Sequence, residues 1–311
     1  MNDQKDDSNK KKTYLPNIIG RLLIWLTVRL PVPLLSVIGQ GFGLLFYFLD
    51  YRRTNYARVN LKICFPELSD KKRKKLLIRH FKNLGQSLFC TLGITWFQPR
   101  KRLVKYVNFI NMETLEQEIK NKTPIIILAP HFVGLELAVS RLGMTFTVAG
   151  MYRPPRKNIL HWAVDYKRRQ FGGIPFESDS YLKKLIRVVR DGIPFFYLPD
   201  MDQGRHTQHV YATFFGHPAA TITALNRIAL LTRARVIPCI ACKADKPGYY
   251  DVTFLPPMEN FPTKDLLADA NKMNRLIEEY VRKRPAEYFW IHRRFKTQDT
   301  DGEKNGRALY K

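Results

Sequence analysis

The stretch PIIILAPHFVGLELAVSRLG, residues 124–143, predicts a strand that is followed at once by a helix. Its apolar run Ile125–Leu128 is typical of a short buried strand, and Ala129-Pro130 ends it. A helix is indicated next, because apolar residues then recur at helical spacing: Leu135, Ala138, Val139 and Leu142.

Two polar residues of this stretch are candidates for chemistry. His131 lies in the turn and Glu136 lies five residues later. Five residues correspond to about 140° around an ideal helix, so the two side chains meet only if His131 lies just outside the helix. A carboxylate on one imidazole nitrogen would leave the other nitrogen free to act as a general base. The alternative is ordinary capping at the start of a helix, where Glu136 complements the helix dipole.

Downstream of residue 105, short apolar runs alternate with longer amphipathic ones. This pattern predicts strands at 106–110, 125–128, 145–149, 194–198, 236–241 and 250–255. It predicts helices at 112–119, 133–142, 158–170, 181–190, 221–231 and 264–284. Such alternation is typical of a layered α/β domain with a mainly parallel sheet, here residues 101–296.

The N-terminal third differs in character. Residues 1–16 are a polar, basic tail, and 17–50 are strongly apolar, with 20 uncharged residues at 30–49. That length matches a bilayer core of about 30 Å, so this segment either spans a membrane or lies in its interface. Residues 51–100 are predicted to be helical, with one helix at 53–63 and a second from Ser69 or Asp70 to about 90. Residues 297–311 form a second polar tail.

The chain is strongly basic, with a formal net charge of +25. Such a field favours anionic partners: nucleic acid, phospholipid headgroups, or an acidic or phosphorylated ligand. The run from Lys71 to Lys75 is either a solvated helix face or a site for anionic lipid or an acidic protein. Nucleic acid is not predicted, because the sequence contains no recognised module and its basic clusters flank the apolar segment.

Polar residues follow three of the predicted strands, at the edge of the sheet where α/β domains bind ligands. They are His131 with Glu136, then Arg153 with Arg168 and Arg169 one helix later, and finally Asp200 with Asp202. Arginines suit a phosphate or a carboxylate. The two aspartates offer too few ligands to predict a metal, and no cofactor is predicted. Cys239 and Cys242 are interpreted as core residues of a strand.

Several catalytic motifs are absent from the sequence. It has no GxSxG elbow, no P-loop and no HExxH, which removes the main support for a serine hydrolase, an NTPase or a zincin. A lone histidine base with an acidic partner suits direct deprotonation of a substrate hydroxyl, and hence acyl transfer without a covalent enzyme intermediate.

An ordered set of motifs then identifies a family resemblance. HFVGLE resembles the H-x4-(D/E) box of the glycerolipid acyltransferase superfamily. MYRP, PDMDQG, FFGHPAATITALNRIALLTRARVIP and YFWIHRRFK resemble the late acyltransferases of bacterial lipid A biosynthesis, the lauroyl/myristoyl transferase group, over residues 17–296. The resemblance implies a layered α/β/α acyltransferase domain behind a membrane-associated apolar helix. It also implies a place on the cytoplasmic face of the inner membrane.

The resemblance further implies a reaction and roles for the site residues. A fatty acyl chain would move from acyl-acyl carrier protein to the 3-hydroxyl of an acyl chain on a Kdo-bearing lipid A precursor. His131 would be the general base and Glu136 its orienting carboxylate. Arg168 or Arg169 would stabilise an oxyanion or a phosphate, while Arg153 and Asp200 would line the cleft.

Two alternatives remain open. One is another membrane-bound acyltransferase, which would use acyl-coenzyme A or a glycerophospholipid acceptor. The other is a non-catalytic protein that binds membranes or anionic ligands.

Overall fold

A seven-stranded sheet forms the centre of the fold. The computed structural model describes residues 25–151, 170–176, 182–205, 207–298 and 308–311. The strands of the sheet follow the order β1-β9-β8-β2-β5-β3-β4. Their bounds are β1 Val107–Ile110, β2 Ile125–Leu128, β3 Val148–Met151, β4 Gly173–Phe176, β5 Phe195–Tyr197, β8 Arg235–Lys243 and β9 Tyr250–Phe254. A separate antiparallel hairpin is formed by β6 His209–Phe214 and β7 His217–Ile222.

Helices cover the sheet, and several of them precede its first strand in the chain. They are α1 Val32–Leu49, α2 Tyr51–Cys64, α3 Asp70–Trp96, α4 Pro99–Tyr106, α5 Glu113–Lys120, α6 Leu135–Gly143, α7 Leu182–Arg190, α8 Ala224–Thr232 and α9 Leu266–Lys283. Ser69 caps α3, since its side chain accepts a hydrogen bond from the backbone N–H of Lys72.

Strand β2 lies in the middle of the sheet, and its sequence explains why. All four residues of Ile125–Leu128 are buried. Ile126 and Leu128 belong to the core cluster on one face of the sheet, while Ile125 and Ile127 belong to the cluster on the other face. A strand that is apolar on both faces must have layers on both sides. The predicted α/β fold with a mixed, mainly parallel sheet is therefore confirmed, the antiparallel pair being β8 and β9.

The apolar segment forms α1, which packs closely along α3. Glycines make the close approach possible: a Cβ on Gly39 would lie 2.5 Å from the carbonyl oxygen of Gly85, and one on Gly43 would lie 2.1 Å from that of Phe81. The opposite side of α1 exposes large apolar side chains, which include Val37, Phe48 and Leu49. By length and composition alone, α1 could cross a membrane.

Some predicted elements differ from the structure. Residues 221–231 were predicted as one helix, but β7 continues to Ile222 and α8 begins at Ala224. Helix α3 runs to Trp96, beyond the predicted end near 90. Strand β4, helix α4 and the β6–β7 hairpin were not predicted. The helix predicted at 158–170 lies, apart from Gln170, outside the described residues.

Parts of the predicted C-terminal tail pack on the core. Thr297 is buried, and its N–H and hydroxyl both donate to the carboxylate of Asp202. Tyr310 is also buried; its hydroxyl donates to Asn60 Oδ1 and accepts from the backbone N–H of Phe295. The last described residues are thus held against α2.

Candidate active site

Two neighbouring parallel strands bring His131 and Asp200 together. β2 and β5 are parallel, with Leu128 opposite Tyr197. The backbone N–H of Ala129 extends this pairing by donating to the carbonyl oxygen of Tyr197 over 2.9 Å. His131 and Asp200 each follow three residues after their strand, so the register places them at the same carboxyl edge of the sheet.

Two hydrogen bonds join His131 to the carboxylate of Asp200. His131 Nδ1 lies 2.6 Å from Asp200 Oδ1, and the backbone N–H of His131 donates to Asp200 Oδ2 over 2.9 Å. An ionised carboxylate can only accept hydrogen bonds, so Nδ1 carries the proton. The remaining ring nitrogen, Nε2, then has the lone pair. Both carboxylate oxygens are engaged by one residue, which fixes the orientation of the imidazole.

Each partner shifts the pKa of the other. Burial alone would lower the pKa of His131, but the charge of Asp200 and its hydrogen bond outweigh burial and raise it above 6.5. Burial likewise opposes ionisation of Asp200, yet the charge and hydrogen bonds of His131 lower the pKa of that carboxyl group to about 2. The carboxylate is therefore ionised throughout the neutral range, and the imidazole is a stronger base than a free one.

A C-terminal segment made mostly of turns supports the histidine turn, residues 129–134. The backbone N–H of Phe289 donates to the carbonyl oxygen of His131 over 2.9 Å, and that of Val133 donates to the carbonyl oxygen of Glu287 over 3.0 Å. Phe132 and Tyr288 form an antiparallel bridge between these two contacts. The turn is thus fixed on one side by β5 and on the other by a segment more than 150 residues away in the chain.

Two buried residues of that segment surround Asp200 and were not predicted as site residues. Burial, together with the nearby charge of Asp200, keeps the pKa of Tyr288 well above its usual value. Burial lowers the pKa of His292 to about 4, so this imidazole is neutral, and its Nδ1 lies 2.6 Å from the carbonyl oxygen of Phe289. The motif YFWIHRRFK contains both residues, but it identified them only as part of a family pattern.

Gly134 is required where the histidine turn meets β8. Its N–H donates to the carbonyl oxygen of Ala241 over 3.0 Å. A Cβ at this position would lie 2.8 Å from the same carbonyl group, closer than real Cβ atoms come. Because the clash is with backbone, a side chain here would displace the turn that carries His131.

Glu136 lies in the first turn of α6 and is exposed. In the structure the carboxylate at Nδ1 of His131 is that of Asp200, and the charge of Glu136 raises the pKa of His131 less than that of Asp200 does. Glu136 also lines a small cavity of about 20 Å³ together with Val139, Val148 and Phe171. The orienting role assigned to Glu136 stays a prediction.

A small apolar cavity of about 50 Å³ adjoins the edge of the sheet. Its described lining comes from α6, β3, β4 and β5, with Leu198 two residues before Asp200 and Val139 on the helix that follows His131. The lining residues are almost all apolar, so the cavity suits a hydrocarbon rather than a polar group.

The other predicted site residues fall into two groups. Arg153, Arg168 and Arg169 lie outside the described residues. Asp202 is buried and is used structurally, since it accepts hydrogen bonds from Thr297 and from the backbone N–H of Gly204. Cys239 and Cys242 are both buried on β8, as interpreted from the sequence.

Sequence comparison assigns the family. A profile described as bacterial lipid A biosynthesis acyltransferase matches residues 3–297. The chain belongs to this family, and it is therefore an acyltransferase of lipid A biosynthesis.

Individual relatives agree over most of their length. The chain is 30% identical over 280 residues to the lipid A biosynthesis lauroyltransferase of Escherichia coli K12, covering 90% of this chain and 91% of that one. It is 30% identical over 280 residues to the palmitoleoyltransferase of the same strain, covering 90% of both chains. It is 29% identical over 268 residues to the myristoyltransferase, covering 86% and 81%.

A similar solved structure is the 1-acyl-sn-glycerophosphate acyltransferase PlsC from Thermotoga maritima. It is 17% identical, with a TM-score of 0.36, and the match covers 81% of this chain and 97% of that one.

Proposed function

We propose that the protein transfers a fatty acyl chain from acyl-acyl carrier protein to the 3-hydroxyl of an acyl chain on a Kdo-bearing lipid A precursor. The hydrogen-bonded pair of His131 and Asp200 carries this proposal, because it supplies an oriented general base at the carboxyl edge of the sheet. Family membership restricts the chemistry to acyl transfer in lipid A biosynthesis. The donor, the acceptor and the roles of the residues are proposed here.

In this mechanism Nε2 of His131 takes the proton of the acceptor hydroxyl. The hydroxyl oxygen attacks the thioester carbonyl carbon, and the carbonyl electrons move onto its oxygen. When the tetrahedral intermediate collapses, the C–S bond breaks and the imidazolium returns its proton to the leaving thiolate. Asp200 keeps Nδ1 protonated and stabilises the imidazolium that forms. The products are an ester and the free thiol of the carrier.

The arginines and the apolar cavity have places in this scheme. Strand β3 is parallel to β5 and ends at Met151, two residues before Arg153, so its carboxyl end opens at the same edge as Asp200. We assign Arg153 and one of Arg168 and Arg169 to the oxyanion or to a phosphate of a substrate.

The apolar cavity beside Leu198 and Val139 takes part of the acyl chain. Glu136, at the adjoining cavity, acts as a second carboxylate near the base.

Charge and surface apolarity support the proposed partners and location. Acyl carrier protein is acidic and lipid A precursors carry phosphates and carboxylates, which complement a net charge of +25. The exposed apolar side of α1 would associate with the lipid bilayer. These features support an enzyme on the cytoplasmic face of the inner membrane.

The test is acyl transfer to Kdo-bearing lipid A precursor in detergent, with products identified by mass spectrometry. Acyl-carrier-protein donors of different chain length are compared with acyl-coenzyme A. The wild type should add one chain from a carrier-protein donor, and His131→Ala should lower the rate by about 10²–10⁴-fold, the usual contribution of a general base.

The control is His217→Ala, which removes an exposed histidine on the β6–β7 hairpin and should leave the rate unchanged. A wild type that accepts only acyl-coenzyme A would refute the proposed donor. An active His131→Ala variant would refute the mechanism.

A further inference from the structure

A second polar region lies on the other side of β2 and is strongly cationic. It is an open cleft of about 720 Å³ between α3, the end of β8 and the end of α9. We call it the basic cleft, defined by its six basic residues: Lys75, Arg79, Lys82, Lys243, Lys283 and Arg284. Only two acidic side chains line it, those of Asp245 and Glu287.

Three of the cations are placed together by helical spacing. Lys75, Arg79 and Lys82 follow one another at intervals of four and three residues on α3, so they share one helix face. Like charges at this spacing destabilise a helix. Within the described parts of the chain none of the three forms an ion pair. An anion bound in the cleft would remove that repulsion.

The floor of the basic cleft is fixed by buried polar contacts. Lys243, the last residue of β8, donates from Nζ to Asn83 Oδ1 over 2.8 Å, and Asn83 is itself buried. The Nδ2 atom of Asn83 donates to the carbonyl oxygen of Ala286 over 3.1 Å. Glu287 Oε2 accepts from the backbone N–H of Lys243 over 2.7 Å. Partial burial lowers the pKa of Lys243, as expected for a cation that a bound anion would stabilise.

Helix α1, which exposes apolar side chains, borders the basic cleft at Gln40. Gln40 of α1 lines the cleft, and its Nε2 lies 3.3 Å from Gln86 Oε1 on α3. Val37 and Leu44 lie three residues before and four after Gln40, on the same side of α1. Val37 is 65% exposed. A ligand in the cleft would therefore have cations around one end and an apolar helix beside the other, which suits an amphipathic molecule better than a soluble anion.

We propose that the basic cleft binds the phosphate group of a lipid headgroup, with the acyl chains of that lipid along the exposed apolar side of α1. The cleft is separate from the His131–Asp200 pair, yet both contact the same C-terminal segment: Glu287 lines the cleft, and Phe289, two residues later, holds His131. A lipid bound there would lie beside the catalytic turn.

Binding is measured on the full-length protein in a neutral detergent by titration calorimetry. The probe is dioctanoyl phosphatidic acid, and dioctanoyl phosphatidylcholine is the zwitterionic comparison. The wild type should prefer phosphatidic acid. The triple variant Lys75→Gln, Arg79→Gln, Lys82→Gln should weaken that binding by about tenfold or more, because it removes three charge-assisted contacts.

The matched control has the same loss of charge on the same helix. It is Lys71→Gln, Lys72→Gln, Lys74→Gln, whose side chains are exposed and do not line the basic cleft. It should change binding by less than about twofold, since exposed charges outside the site are screened. Equal losses in the two triple variants, or no preference for phosphatidic acid, would overturn the proposal.

The bound phosphate belongs either to the lipid acceptor of the reaction or to a membrane phospholipid, and acyl-transfer kinetics distinguish the two. This part of the test rests on the function proposed above. If the phosphate belongs to the acceptor, the cleft variant raises the KM for the acceptor while kcat stays near the wild-type value. If it belongs to a membrane phospholipid, the KM is unchanged although phosphatidic acid binding is lost. Should the cleft variant instead weaken acyl carrier protein binding and leave phosphatidic acid binding intact, the cleft is a protein-docking surface and the proposal is wrong.

Discussion

The two strands that flank β2, which are β5 and β8, each lead into a polar region, and the two regions differ in burial and in charge. On the β5 side, a partly buried histidine and a buried aspartate are joined through two hydrogen bonds. On the β8 side, Lys243 opens a cleft with six cations and two carboxylates, most of them exposed. Both regions lie at the carboxyl edge of the sheet, and both use the segment from Ala286 to Phe289 as a wall.

This difference in burial and charge suits one region to proton transfer and the other to ligand binding. In the opposite-charge pair, each group shifts the pKa of the other in favour of its partner's charged form. An open set of like charges attracts an anion instead. We infer that the first region performs the reaction and that the second holds a charged part of a lipid. The predictions below alter one region at a time.

The largest effect is expected for Asp200→Asn. The amide cannot stabilise an imidazolium and can favour the wrong tautomer, so the rate should fall by about 10²–10⁴-fold. The pH dependence should change as well. Asp200 raises the pKa of His131 against burial, so the wild-type rate falls on acidification through a pKa above 6.5. Without the carboxylate charge, burial dominates, and this acidic limb should move to lower pH. The measurement is kcat/KM between pH 5 and 9.

Glu136→Gln serves as the comparison for this prediction. Its charge affects His131 less than that of Asp200, so the loss of rate and the shift of the limb should both be smaller. If Glu136→Gln equals or exceeds Asp200→Asn, Glu136 is the orienting carboxylate that the sequence suggested.

Much of the fold follows from local sequence. Strand β2 was predicted with the bounds that the structure has, because four consecutive apolar residues between breaks leave little choice. The β6–β7 hairpin was missed. Its turn at Phe215 and Gly216 adopts positive φ angles, and its second strand, HPAATI, has no clear alternation and runs into the helix-like ALNRIALLT. The hairpin packs against α9 through β6, a contact between distant parts of the chain that local sequence does not reveal.

The site was predicted less completely than the fold, for a physical reason. His131 and Asp200 were both named from sequence, but their pairing depends on which strands are neighbours in the sheet, and spacing along the chain does not give that order. Glu136 was assigned the orienting role from the H-x4-E spacing and the family resemblance, and that assignment stays a prediction. Tyr288 and His292 lie more than 150 residues from His131, so no local pattern connects them to it.

A smaller effect is expected for Gly43→Ala, which changes the packing of α1 on α3 beside the basic cleft. The new Cβ would lie 2.1 Å from the carbonyl oxygen of Phe81, and only backbone movement relieves that clash. We expect a loss of about 1–3 kcal/mol in stability, the usual cost of overpacking. Weaker phosphatidic acid binding should follow, because Gln40 and Lys82 face the cleft near this crossing.

The control for the helix crossing is Gly41→Ala on the same helix. Nothing lies within 4 Å of the added Cβ, so helix propensity should make this change neutral or slightly stabilising. The apparent Tm in detergent, read by circular dichroism, compares the two variants. Equal Tm values would mean that α1 and α3 do not pack as closely as described.

The smallest effect is expected from salt, which distinguishes the two regions without any mutation. Exposed charges are screened over a Debye length of about 8–10 Å near physiological ionic strength, whereas a buried pair is screened much less. Raising the salt from about 50 to 200 mM should therefore weaken phosphatidic acid binding by a few-fold, because the basic cleft is open. The pKa on the acidic limb of kcat should hardly move, since Asp200 contacts His131 directly. If that pKa shifts as much as binding weakens, the His131–Asp200 pair is open to solvent and ions. The contrast between a buried catalytic pair and an open binding cleft would then be lost.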